Sequence, residues 1–115
     1  MSKLKFNRHT VRTLLKYCPE MKRRAFAPEI TEIISKALEL SDEETRLLAE
    51  RKYFRDESIV KISMDLYLSK STIERQLKKL VDSVIIMLLE ASLSDKATKA
   101  LTQFEGILNG GYTNG

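Results

Sequence analysis

Apolar positions along this chain recur at helical spacing, in segments separated by prolines, small polar residues and acid clusters. Val11, Leu14, Leu15 and Cys18 stand at i, i+3, i+4 and i+7 and predict a first amphipathic helix, with Asn7 as its N-cap and Pro19 marking its end. The stretch from Met21 to Ala27 holds the densest basic run and predicts at most a short helical turn. Pro28 suits the first position of a second helix, where a missing N–H costs nothing, and Ile30, Ile33, Ile34, Ala37 and Leu38 repeat the stripe. Ser41-Asp42-Glu43-Glu44 has capping-box spacing, so that helix should stop near Leu40 and another begin after Ser41, its first-turn acids favoured by the helix dipole. Leu48, Ala49 and Tyr53 are its inward residues, with fraying near Phe54-Arg55. Asp56 is then the expected cap of a short helix from Glu57 to about Asp65 that buries Ile59, Ile62 and Leu66.

Ser69 is the N-cap candidate of a long helix reaching about Glu90, with Ile73, Leu77, Leu80, Val81, Val84 and Leu88 as its inward stripe. From Val84 onward Ile85, Ile86, Met87 and Leu89 make this helix apolar all round, and such a helix has to be covered on every side. A last helix capped by Ser94 or Asp95, with Ala97, Ala100, Leu101, Phe104 and Leu108, is one source of cover; a dimer seam over Ile85, Ile86 and Leu89 is the other. Asn109-Gly110-Gly111 should end that helix and leave a disordered tail. Alternation of strand type never persists. The expected fold is all-α: a basic N-terminal helical segment (1–40), a helix-turn-helix unit (41–91), a C-terminal helix (92–109) and a tail (110–115), sharing one compact domain.

Composition agrees with a single helical domain of 115 residues, with four Gly and two Pro. The longest apolar run, Val84–Leu89, is far too short to span a bilayer, and no apolar stretch follows the basic start, so a cytoplasmic protein is expected. One cysteine, Cys18, and one histidine, His9, supply neither a disulfide nor a structural zinc set, and no phosphate-cradling glycine loop occurs. The expectation is a small core thiol, a surface imidazole, no enzyme activity, no metal and no cofactor. Charge is uneven: residues 1–27 carry net +7, residues 28–68 net −4 and residues 69–115 net +1, which together give the overall +4. Lys22, Arg23 and Arg24 are the heart of the basic end. Such asymmetry suits an anionic partner.

The chemistry concentrates between Glu44 and Val84. A short helix, a tight turn and a second helix with polar, basic first turns are the organisation of a helix-turn-helix. Ile62, Leu66, Leu68, Ile73 and Leu77 stand where two such helices need apolar contacts, and Ser63 is small at their close approach. Lys70, Ser71, Glu74, Arg75 and Lys78 share the opposite face, the one that would enter a major groove by its N-terminal end.

Tyr53-Phe54, then Ser58 and Ile62, then Leu66-Tyr67-Leu68-Ser69-Lys70-Ser71-Thr72-Ile73-Glu74-Arg75 with Leu77 and Leu80 behind, resemble the C-terminal promoter-reading domain (region 4) of bacterial sigma factors. They are still more similar to the sigma-related late-gene regulators of phages and prophages, the ArpU/RinA type. Leu14-Leu15-Lys16-Tyr17, followed by a proline and basic residues, is also similar to the amino-terminal part of those regulators. The resemblance implies a sequence-specific, DNA-binding transcription regulator acting on double-stranded DNA, with RNA polymerase or a partner sigma factor alongside. Sigma factors usually place glycine where Tyr67 stands, whereas the phage regulators accept other residues there. Arg51 replaces an apolar residue, so that the preceding helix is either less buried or uses Arg51 at the surface.

Lys70, Lys78 and Lys79, with amino-terminal basic residues such as Lys22, Arg23 and Arg24, are the expected phosphate contacts. Ser71 and Thr72 open the recognition helix, and Arg75 is the candidate for a bidentate guanine contact. Glu74 is either an acceptor from cytosine or an i,i+4 ion-pair partner of Lys78. The small size of one reading module favours a homodimer. A DNA-packaging recognition subunit of small-terminase type and a protein-interaction module that holds RNA polymerase are the competing readings.

Overall fold

The computed structural model describes residues 7–91 and 93–110, with side chains no further than Gln103. All regular structure among them is helical: α1 (Arg8–Arg23), α2 (Pro28–Leu40), α3 (Glu43–Ala49) running into a π-helical turn (Glu50–Phe54), α4 (Ile59–Leu66), α5 (Lys70–Glu90) and α6 (Asp95–Gly110). None is long and apolar enough to cross a membrane.

Each start has a local chemical cause. The side chains of Asn7, Asp42, Ser58 and Ser69 accept the backbone N–H groups of Thr10, Thr45, Lys61 and Thr72, satisfying donors that the first helical turn leaves unpaired. Ser94 does the same for Ala97 at 3.1 Å. Pro28 opens α2 as its first residue, with Ala27 before it at φ 51°.

Three boundaries differ from the sequence expectation. Pro19 lies inside α1, which continues to Arg23. Met21 extends the inward stripe of Leu14 and Cys18 and is only 6% exposed, so burying it keeps the chain helical past the bond that Pro19 cannot donate. At the next junction the cap is Asp42 rather than Ser41. Ser41 Oγ instead donates to the Ala37 carbonyl at 2.8 Å and closes α2, and Glu44 bonds Gln76 on α5 rather than reaching back. The third helix-turn boundary moves as well: Ser58, not Asp56, caps α4, and Asp56 sits in the left-handed region at φ 54°. Its neighbour Glu57 has been drawn to Arg51.

α5 is the wall on which α1, α2, α3 and α4 all pack. Its stripe Ile73, Leu77, Leu80, Val81, Val84 and Leu88 is buried as the spacing predicts, and one continuous core joins it to Leu14 and Leu15 of α1, Ile34 of α2, Leu48 of α3, Ile62 of α4 and Leu101 of α6. Cys18 lies in that core, where burial pushes its thiol up, while His9 is exposed. α6 packs on α2 and leaves Ile86 and Leu89 54% and 61% exposed; Ile85 is half-buried against the core. The expected cover of that face by the last helix is therefore not what α6 provides through its described side chains. The inward placement expected for Phe104 and Leu108 falls outside those side chains, and the tail from residue 111 falls outside the described residues.

The link from α4 to α5 is three residues long. Tyr67 ends α4 in the left-handed conformation, φ 56°, ψ 37°, and its N–H donates to the Ser63 carbonyl. Ser63 Oγ donates to the Leu68 carbonyl at 2.5 Å, and Leu68 N donates back to the Ser63 carbonyl at 3.3 Å. Small Ser63 thus ties down the turn at the close approach of the two helices. Tyr67 is 95% exposed, so its ring offsets none of the cost of a positive φ. Tyr67→Gly should stabilise the chain by about 1 kcal/mol in urea unfolding, because glycine lacks the Cβ clash; a loss of stability would show that the ring packs on the fold.

Candidate nucleic-acid interface

With one face of α5 committed to the core, its opposite face is fixed in solvent. Ser71, Glu74, Arg75 and Lys78 lie on that outer face, all exposed, within the first two and a half turns. They line one side of an open cleft of about 620 Å³. Arg12 of α1 and Lys52 of the π-helical turn complete its rim, with Tyr53 and Ile59 beneath. Four cations thus converge from three elements that are distant in sequence. Among the described residues no ion pair engages Lys52, Arg75 or Lys78, and none joins Glu74 to Lys78, so the structural alternative for Glu74 is not realised. Tyr53 is 9% exposed; burial pushes its hydroxyl up, and the neighbouring Arg12 guanidinium opposes that shift.

The remaining candidates are placed differently. Lys70 is exposed at the first position of α5. Thr72 is half-buried and belongs to the cap, its hydroxyl accepting from Ser69 Oγ at 2.8 Å. Lys79 is exposed on the α3 side of α5, where its charge helps hold Asp42 below the usual carboxylate range, after the larger effect of Asp42's hydrogen bonds to Thr45. On that flank Gln76 bonds Thr45 and Glu44 and locks α3 to α5. Lys22 and Arg23 occupy the last turn of α1 and Arg24 caps it, about 15 Å along the axis from Arg12. Glu20 pairs with both arginines, and none of the three lines the cleft. The useful signal in α1 was the spacing of Arg8, Arg12 and Lys16, one turn apart on one exposed face, rather than the densest run. Lys52 had no such signal, since the π-helical turn sets its direction.

Arg51 positions the cleft from behind. Its side chain is 12% exposed; its guanidinium donates to Glu57 at 2.6 Å and to Asp65 at 2.5 Å, with Lys61 3.6 Å from the same Glu57 carboxylate. The backbone repeats the tie, Glu57 N donating to the Arg51 carbonyl at 2.9 Å. Arg51 therefore serves neither as a core residue nor as a free surface cation: it clamps the π-helical turn to the segment just before α4 and to the last turn of α4. Its hydrogen bonds hold the Glu57 carboxyl below the usual carboxylate range and raise its own pKa above the ordinary arginine value.

Among the described residues no group of His, Cys, Asp and Glu side chains is placed to hold a metal ion. Compared with known proteins, the chain matches no family model, no curated protein and no solved structure.

Because Glu57 has a depressed pKa in the folded chain, the stability it contributes is complete above its unfolded value and is lost as pH falls through the folded one. Arg51→Gln should lower the melting midpoint by several degrees near neutral pH, and the gap from the parent chain should close as pH falls below about 5 and through the depressed folded-state pKa of Glu57. A gap independent of pH would show that Arg51 acts by packing alone.

Proposed function

We propose that this protein is a sequence-specific DNA-binding regulator of transcription whose partner is double-stranded DNA. The observation that carries this reading is the open face of α5, Ser71, Glu74, Arg75 and Lys78, whose charged members no ion pair engages among the described residues, bordered by Arg12 and Lys52 and preceded by a short helix and a three-residue turn. These are the proportions of a helix-turn-helix, with α5 as the helix that enters the major groove by its N-terminal end. Arg75 reaches guanine O6 and N7 with two parallel donors, Glu74 accepts from cytosine N4, and Ser71 serves either kind of edge. Lys70, Lys78, Arg12 and Lys52 neutralise phosphates and fix the register.

The likeness of residues 53–80 to sigma region 4, and more closely to phage and prophage late-gene regulators, supports a transcriptional role beside RNA polymerase or a partner sigma factor. Ile85, Ile86 and Leu89 are where a second copy would join two reading faces. Light scattering separates this part of the proposal from the rest: Ile86→Glu should keep the helical circular-dichroism signal and abolish any dimer, whereas a parent chain that is monomeric at high micromolar concentration removes the dimer alone.

Arg75→Ala should cost about 1–3 kcal/mol on the preferred site and relax its sequence preference, while Lys78→Ala and Lys52→Ala should weaken all duplexes alike and lower the salt slope by about one unit each. Fluorescence anisotropy with selected and scrambled duplexes reads both. Equal, sequence-blind losses from all three would remove Arg75 as a base reader, and no loss from any would remove the DNA reading.

A further inference from the structure

The outer face of α5 does not end at Lys78. One turn further on stands Asp82, a carboxylate on the same face as the cations of the cleft, and Arg8 of α1 grips it with two donors. Arg8 Nε donates to Oδ1 at 2.9 Å and Nη2 to Oδ2 at 3.3 Å. This two-pronged geometry is the one by which a guanidinium takes a phosphate group. We propose that Asp82 is an internal stand-in for a DNA phosphate, occupying Arg8 at the edge of the reading face and so limiting how tightly the chain holds any duplex.

This inference rests on the DNA-binding reading and deepens it. From Ser71 the helix rises about 10 Å to Lys78 and about 16 Å to Asp82, against a major groove about 8.5 Å deep. With Ser71 at the groove floor, Lys78 stands at the level of the phosphates and Asp82 just outside them. A bare carboxylate there would repel the backbone; paired with Arg8 it presents no net charge. The two side chains are 48% and 40% exposed, so the pair is open to solvent and weakly held. Arg8, and then Lys78 and Arg12, hold the Asp82 carboxyl below the usual range, so that it is ionised wherever DNA is bound near neutral pH.

Breaking the pair from its two ends should therefore have opposite effects. In the full chain, Asp82→Asn frees Arg8 for one more phosphate: duplex binding should tighten roughly fivefold at about 0.15 M salt, with a salt slope steeper by about one unit. Arg8→Gln bares the carboxylate and should weaken binding, and the double variant should return to within about twofold of the parent. Glu32→Gln makes the same charge change on α2, beside Met87 and Leu93 rather than along the cleft, and should leave affinity nearly unchanged. Circular dichroism checks each fold; should Asp82→Asn loosen it, Asp82→Ser serves for the same arm. An unaltered slope in Asp82→Asn, or Glu32→Gln tightening binding equally, overturns the inference while the losses in Arg75→Ala and Lys78→Ala leave the DNA reading standing. Insensitivity to all of these variants overturns both.

Discussion

Burial of one stripe along α5 sets the rest of the structure. Ile73, Leu77, Leu80, Val81, Val84 and Leu88 are each at most 4% exposed, and four other helices pack around that stripe. Rotation of α5 about its axis would expose these residues at a cost of about 1.5–3 kcal/mol for each large aliphatic side chain. The rotation is therefore fixed, and with it the face that Ser71, Glu74, Arg75 and Lys78 present. A polar face held this rigidly by a core suits a recognition element, since side-chain positions relative to the fold are set before any ligand arrives.

Around that fixed face, charge arrives from elsewhere in the chain. α1 brings Arg8 and Arg12 because Val11, Leu14 and Leu15 bury its other side, and the π-helical turn brings Lys52 because Tyr53 is buried next to it. The Arg51 clamp to Glu57 and Asp65 keeps that turn and α4 in one arrangement. Core packing and the ion network around Arg51 thus divide the work: the first orients α5, the second orients its neighbours. Asp82 gives the basic face an end.

Much of the fold was legible in the sequence because its causes are local. Ser69 and the uninterrupted stripe behind it announced α5 with its correct bounds, and Asn7 and Pro28 announced the starts of α1 and α2. What could not be read depended on long-range contacts. Pro19 reads as a stop, but burial of Met21 carries the helix past it. Ser41 looked like a cap, but Asp42, a charged acceptor one residue on, took that role and left Ser41 to finish α2. Arg51 looked out of place because its partners lie 6 and 14 residues away, at no helical spacing. In the site, the exposed face of α5 was legible from its period alone. The convergence of Arg12 and Lys52 on it was not, and the run Lys22-Arg23-Arg24 drew attention by density although the helix carries it away from the cleft.

In the proposed function, DNA binds the outer face of α5, with Arg12 and Lys52. The most direct measurement is a titration of the isotope-labelled full chain with a duplex, followed residue by residue through amide and side-chain NMR shifts. Changes confined to residues 70–79, Arg12, Lys52, the turn at 67–69 and the bordering Arg8–Asp82 pair are the expected result. Shifts centred on α2 and α6, with α5 silent, would contradict it.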